Sequence, residues 1–567
     1  MTVLPVKFDV TARTPLTEGG EGFLYEYDGK IIKTFKPHID LCAKERKIKA
    51  LMKAGLPGEV VTPIDSVVDL RGGFIGYCME KVSGEEFKRL SNRRFVTANN
   101  ITTKEILDML VKIKAVLKEI HGKNIYVGDL NDQNILFDKA GNIYFIDCDS
   151  WAIGSDTCTV AMDLFKDPNL REDHFDAGTD NYAFAVLAWK ALTRIHPFGG
   201  TLSPDLSIME RMNRGISVID RAEVRLPRMT KEWKGFSPAL VAAFKNVFEN
   251  GARTLSDHLE DMQNHLSFCR KDGEYYYSGF SSCPYCDSGA QVRKKPVSQG
   301  VVGGLKLYAI YDADKIKTVF DRYTYLDPEG YVNHGNQKEI YKGARHYFLE
   351  NKTRVLDYAD GFSFWPLNAE KSYQIRKKYK TQIETDGNAI YHIAEKNTLC
   401  KMEVTDNGNG IKNICKVSNT AYFAVSGDHY CVINYYTGKI IVSADGTNTV
   451  MEYHSDLVNY GIHRDEISGK WLILLEDGSG RFLTCVINGG TVEYVTDSIK
   501  YTCPLNCPCI YNSNIFIPVD KKVRGYSYKK SEFRDFACGA ASEESRLIKE
   551  KNRFVIVNPE NVYYFHM

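Results

Sequence analysis

Two periods of apolar residues alternate along the first half of the chain. Short apolar runs at 135–137 and 143–146 flank a Lys-Ala-Gly-Asn turn, which predicts a β-hairpin. Strand-like runs also surround a glycine cluster within 16–36, with Asp28-Gly29 as a tight turn. The stretch 74–84 reads as a buried strand. Helical spacing takes over at 42–55, apolar at 48, 51 and 52 and closed by Gly55. It is clearest at 102–121, where Ile106, Met109, Leu110, Ile113, Leu117 and Ile120 form one stripe. Thr102 or Thr103 caps that helix and Gly122 ends it. The segment 180–200 is apolar on nearly every side, predicting a buried helix. Further helical patterns lie near 204–214 and 237–268.

From 305 onward the pattern becomes tyrosine-rich and strand-like. Apolar runs start at Leu307, His346, Ile390, Tyr422, Trp471, Ile515 and Phe554, spaced 32 to 49 residues apart. Most are followed by a polar turn and a second run, close to the ~40–50-residue period of propeller blades. An all-β propeller of six or seven blades is expected over 305–567, with a β-sandwich pair as the alternative. Residues 291–304 read as a linker. Cys503, Cys507 and Cys509 lie close together without a partner cluster and are expected to be packing residues.

A chain of 567 residues exceeds what one core serves. The balance of 73 basic and 72 acidic residues gives no support for steering toward nucleic acid or membrane. No apolar run reaches membrane-spanning length, and the start of the chain lacks a signal-peptide pattern. Fifteen scattered cysteines fit reduced thiols, so a cytoplasmic protein is expected.

The candidate chemistry gathers at the hairpin. Asp129 and Asn134 precede its first strand and Asp147 follows its second. Two carboxylates and an amide at one end of a hairpin suit phosphoryl transfer: one carboxylate orients a hydroxyl, and an oxygen pair holds Mg²⁺ on phosphates. Upstream, Gly19, Gly20 and Gly22 would let backbone amides approach phosphates. Lys33, on the next strand, would pair with them.

This order resembles the protein-kinase signature, in which a catalytic-loop Asp is followed five residues on by Asn and, after a hairpin, by a magnesium-binding Asp. The resemblance covers residues 10–268. It implies an α+β bilobal kinase-like domain over 1–268 that binds ATP and Mg²⁺. Asp129 would then be the catalytic carboxylate, Asn134 and Asp147 the magnesium ligands, and Glu45 the helix residue positioning Lys33. Met79 would be the gatekeeper, Glu80 and Val82 would bind adenine through their backbones, and Asp180 would hold the catalytic-loop backbone. Gly-Gly-Glu-Gly, Gly-Asp-Leu-Asn, Ile-Asp-Cys-Asp-Ser and a later Cys-Pro-Tyr-Cys together resemble bacterial Ser/Thr kinases of the tellurite-resistance-associated phosphorylation triad. That likeness implies a PP2C-type phosphatase and a von Willebrand-type protein as partners, beside protein substrates.

The departures from the pattern bear on chemistry. Thr17 stands for the first glycine, and Val127-Gly128 stands where His-Arg precedes the catalytic Asp. A phosphorylated activation loop would therefore find no guanidinium there. Asn131 replaces a γ-phosphate lysine and Cys148-Asp149 replaces Phe-Gly. Asp167-Pro168-Asn169 is the nearest match to Ala-Pro-Glu.

Cys283-x-x-Cys286 lies in a knuckle sequence, and thiolates so spaced on a tight turn suit tetrahedral Zn²⁺. Cys269 would be a third ligand and His265 a fourth, making 265–290 a small zinc-knuckle-like, zinc-ribbon-like module. The expectation is an ATP- and Mg²⁺-dependent protein serine/threonine kinase whose propeller recruits partners. The alternatives are a nucleotide-binding pseudokinase scaffold, or kinase-fold transfer to another acceptor, including transfer of AMP.

Overall fold

The computed structural model describes residues 5–158, 161–170, 174–202, 206–287, 299–302, 305–335, 337–349, 353–366, 372–378, 380–405, 408–436, 438–455, 457–550 and 553–565. The chain divides into two compact units. One joins residues 1–8 to 27–295, and the other joins 9–26 to 296–567.

The first unit is mixed α/β. Its strands Val6–Lys7, Pro63–Val68, Phe74–Glu80 and Lys30–Phe35 lie side by side in that order. A Cβ at Gly76 would sit 1.9 Å from the Lys33 carbonyl oxygen, so only glycine lets these two strands pair at Lys33. Helix α1 (Leu41–Lys53) starts where Asp40 accepts the amides of Cys42 and Ala43. Its buried face is Lys44, Lys47, Ile48 and Leu51; Met52, which the spacing assigns to the core, is partly exposed. The long helix α2 (Thr103–His121) has a Thr102/Glu105 capping box, and all six stripe residues are buried.

Ile135–Phe137 and Ile143–Phe145 form the expected hairpin, with Ile135 opposite Phe145. Helix α3 (Ala177–Thr193) begins three residues before Asp180, because Asp176 caps it by accepting the Thr179 amide. The pattern at 237–268 splits into α4 (Pro238–Glu249) and α5 (His258–Asn264), with Gly251 between them at φ +78°. A hairpin, Leu266–Phe268 with Tyr275–Tyr277, and a one-turn helix, Pro284–Asp287, follow. No helix among the described residues is long and apolar enough to cross a membrane.

In the second unit, Thr17–Glu18 pairs with Gly22–Tyr27 around the glycine turn, Thr17 opposite Leu24. Beyond the linker region, most of which lies outside the described residues, the chain is all β. Among the described residues it forms six four-stranded antiparallel sheets in chain order, within 318–340, 345–376, 384–416, 420–453, 457–496 and 509–537. A seventh, five-stranded sheet pairs Gln299–Val302 and Leu305–Ala309 with the last three strands, between 546 and 565. The seven apolar runs of the sequence thus seed six sheets, since Leu307 and Phe554 share one. The sheet at 318–340 has no such run, its Thr324–Leu326 strand being only three residues long. Cys503 and Cys507 pack in one apolar cluster with Leu472, Ile510 and Tyr526, and Cys509 packs in another with Phe516 and Phe554.

Candidate functional site

The loop before the hairpin is rigid for identifiable reasons. Asp180, nearly inaccessible on α3, accepts the amides of Val127 and Gly128 at 2.8 Å each, and His121 of α2 lies 2.8 Å from it. Gly128 has φ +69°, and a Cβ there would lie 2.5 Å from Cys158 Sγ. No side chain fits at the position where the kinase pattern carries Arg. On the far side of the loop, Lys190 of α3 pairs with buried Asp132 at 2.6 Å.

Within this frame the Asp129 carboxylate accepts three hydrogen bonds. Its Oδ1 accepts from Asn131 Nδ2 and the Met162 amide at 2.9 Å, and its Oδ2 accepts from Asn134 Nδ2 at 2.9 Å. Burial, reinforced by the charge of Asp147, pushes its carboxyl up to about 6 against those hydrogen bonds. Asn131, in the lysine position, accepts the Gln133 and Asn134 amides through Oδ1 and so shapes the turn. Because Asn134 gives its nitrogen to Asp129, its amide oxygen is left for a cation.

After the hairpin, Asp147 sits at φ +66° and pairs with Lys33. Asp149, two residues on and inaccessible to solvent, pairs with Lys33 at 2.7 Å and Lys44 at 3.2 Å, and accepts the Tyr77 hydroxyl at 2.6 Å. Burial alone would raise Asp149, but the two ammonium groups override it and hold it well below the usual carboxylate range. Asp147 has less cationic help, so burial and the neighbouring Asp149 leave it raised. Lys33 is pushed above the ordinary lysine range by the same two carboxylates, despite its burial. Asp129 and Asn134 are therefore brought together, as are Lys33 and Asp147.

The expected Lys33–Glu45 pair is not formed. Glu45 lies off the buried face of α1 and binds Lys49 at 2.6 Å, while Lys44, one position earlier, meets Asp149. Asp149, Lys44 and Tyr77 are participants that the motif comparison misses. The signal for Lys44 is its place on the 44, 47, 48, 51 face. Met79 is buried on the central strand opposite Ile31, Glu80 is exposed and 3.9 Å from Lys30, and Val82 follows in irregular backbone. In the glycine turn the Gly19 amide donates to the Gly22 carbonyl at 2.8 Å. Neither Gly19 nor Gly20 has a positive φ, and a Cβ at Gly20 would meet nothing within 4 Å. Asp167 forms a two-pronged pair with Arg253, 2.7 Å on one side, tying the segment after Asp147 to the loop after α4.

A second constellation lies at 269–286, where Cys269, Asp272, Cys283 and Cys286 bring their ligand atoms within 4.8 Å of one another, a group that could hold a metal ion. His265 is not part of it: its ring turns to the Asp261 carbonyl at 2.9 Å. Neither the scan of protein-family models nor the search of curated proteins gives a match for this chain.

Proposed function

We propose that the first unit is a bilobal kinase-like domain that transfers the γ-phosphoryl group of ATP to a protein serine or threonine. The observation that carries this reading is the paired arrangement of Asp129 with Asn134 and of Lys33 with Asp147, at the open end of one hairpin. The donor set suits a hard cation: Asp147 offers a carboxylate and Asn134 its amide oxygen, and these would hold Mg²⁺, which screens phosphate charge. Asp129, ionised at neutral pH with its carboxyl near 6, would accept the hydrogen bond of the acceptor hydroxyl and orient it. Lys33 would exchange Asp147 for phosphate oxygens while Asp149 keeps it in place.

A second reading has its own observation. Lys33 is held by two carboxylates, one of them the proposed metal ligand Asp147, so the cation for the phosphates has partners within the protein. That suits a nucleotide-binding scaffold without transfer. For the second unit, we propose a seven-bladed propeller that recruits partners. Joining the first strands to the last in one sheet is what ring closure requires.

Incubation with γ-labelled ATP and, separately, α-labelled ATP tests the reading. Label from the γ position alone, absent in Asp129→Asn although ATP still raises that variant's melting temperature, is the expected result. Stabilisation by ATP with no transfer from either label selects the scaffold. α-Label transfer selects nucleotidylation.

A further inference from the structure

The module at 266–287 carries an inference independent of the kinase reading. We propose that Cys269, Asp272, Cys283 and Cys286 form a closed, structural Zn²⁺ site, with Asp272 as the fourth ligand in place of His265.

The ligands come from two matching half-sites, Cys269-x-x-Asp272 and Cys283-x-x-Cys286. The first sits on the turn of the hairpin. The Cys269 amide donates to the Glu274 carbonyl and the Gly273 amide to the Cys269 carbonyl, both at 2.9 Å, with Gly273 at φ +74°. The second opens the one-turn helix, where the Cys286 amide donates to the Cys283 carbonyl at 3.1 Å. Across the halves, Cys269 Sγ lies 3.6 Å from Cys286 Sγ, and Asp272 Oδ2 lies 3.2 Å from Cys283 Sγ and 2.9 Å from Cys286 Sγ. Zn–S bonds of about 2.3 Å and Zn–O bonds of about 2.0 Å place tetrahedral ligand atoms about 3.5–3.8 Å apart, so one ion fits among these four once the Asp272 oxygen moves a few tenths of an ångström outward from the sulfurs. Three sulfurs select a soft or borderline ion over Mg²⁺ or Ca²⁺. Binding one Zn²⁺ to three thiols and a carboxylate releases three protons and leaves no ligand position for water.

The site has something to hold. Tyr285, between the two knuckle cysteines, donates its hydroxyl to the Glu232 carbonyl at 3.1 Å and lies where Gly235 leaves room; a Cβ at 235 would be 2.4 Å from the ring. Lys231 and Lys234 stand over the same ring. The Tyr277 amide donates to the Gly235 carbonyl at 2.8 Å. Glu274, two residues past Asp272, pairs with Lys231, which also reaches Thr103 at the start of α2. The ion would therefore fasten the hairpin and the Tyr285 turn as one piece against the body of the first unit.

The test is metal analysis and Co²⁺ substitution on the full chain. Wild type and His265→Ala should each carry one zinc. Their Co²⁺ forms should show tetrahedral d–d bands with thiolate charge transfer for three sulfurs. Cys283→Ser/Cys286→Ser should carry none. Asp272→Asn should keep its fold by circular dichroism but lose zinc to a competing chelator at least tenfold more readily, while Asp272→Cys should gain a fourth thiolate band. Chelation of wild type should lower the melting temperature, and added Zn²⁺ should restore it. The proposal fails if folded wild type carries no zinc and takes up no Co²⁺. It also fails if His265→Ala loses the metal while Asp272→Asn keeps it, or if Cys269 and Cys286 are isolated as a disulfide from reduced cell extract.

Discussion

At the residue scale, two carboxylates separate function from stability. Asp129 rises from 3.8 to about 6 because it is buried. The native state then holds its proton where the unfolded chain has lost it, so this residue's contribution to stability falls as pH rises from about 4 to about 6. The proposed phosphoryl transfer would need the ionised form and move the other way, so its kcat/KM should fall as pH drops through about 6. Asp129→Asn should weaken the pH dependence of stability by at most about 3 kcal/mol between pH 4 and 7. Denaturant midpoints across that range, beside a rate profile, check both halves. Asp149 behaves oppositely: its depressed carboxyl contributes stability above about pH 4, lost only as pH falls toward its own low value. Removing it leaves Lys33 and Lys44 buried without their shared anion. Asp149→Asn should therefore cost about 3–5 kcal/mol, and Glu45→Gln, which breaks an exposed pair within one helix, about 0.5 or less. Urea unfolding of both variants decides. Equal losses would mean that Asp149 does not organise the cluster. The sequence displays Asp149 and Lys44, but a motif comparison looks at 45 and 147, and neither charge explains itself until the strand of Lys33 and α1 are packed.

At the element scale, periodicity carried most of the first unit. The stripe of α2 and the hairpin at 135–145 were legible because each buries one continuous apolar face. The early start of α3 was less visible, since it depends on the Asp176 cap and not on the apolar pattern. Least visible was why Gly128 replaces Arg. That follows from Cys158, thirty residues on, packing where a side chain would go. The loop therefore offers a paired control. Gly128 and Gly141 both have positive φ, but a Cβ at 128 meets Cys158 at 2.5 Å while one at 141 meets nothing within 4 Å. Gly141→Ala should cost only the backbone term, about 1–2 kcal/mol. Gly128→Ala should cost that plus the clash, and should reduce phosphoryl transfer by displacing the amide that Asp180 holds. Denaturation of the two variants side by side reads the difference. Comparable losses would show that the segment at 158 yields freely.

At the scale of the whole molecule, the recurrence of sheets was legible in spacing, but the pairing of an early strand with the last one was not. Apolar runs mark single strands of sheets, inner ones at Leu307, Ile390, Trp471, Ile515 and Phe554 and edge ones at His346 and Tyr422. Nothing in a run says that the strand at 305–309 pairs with one more than 250 residues later. The boundary expected at 305 also divides the strands Gln299–Val302 and Leu305–Ala309, which belong to one hairpin. A single side chain adds to the strand pairing that joins the two ends. Asn561, fully buried, donates Nδ2 to the Tyr311 carbonyl at 2.8 Å and accepts the Tyr311 amide at 3.2 Å and the Val562 amide at 2.8 Å. One carboxamide thus satisfies backbone groups from both ends of the all-β region, where a buried donor without a partner costs about 1–3 kcal/mol. Asn561→Ala strands the Tyr311 amide and carbonyl together. It should destabilise the second unit by about 2–4 kcal/mol. Hydrogen exchange on the full chain locates the effect. Protection should fall first in the five-stranded sheet, at Ala309 and Tyr563, while α2 and α3 of the first unit keep theirs. A uniform loss across all seven sheets would instead mean that the all-β region opens as one cooperative body, with Asn561 no weaker a point than any other.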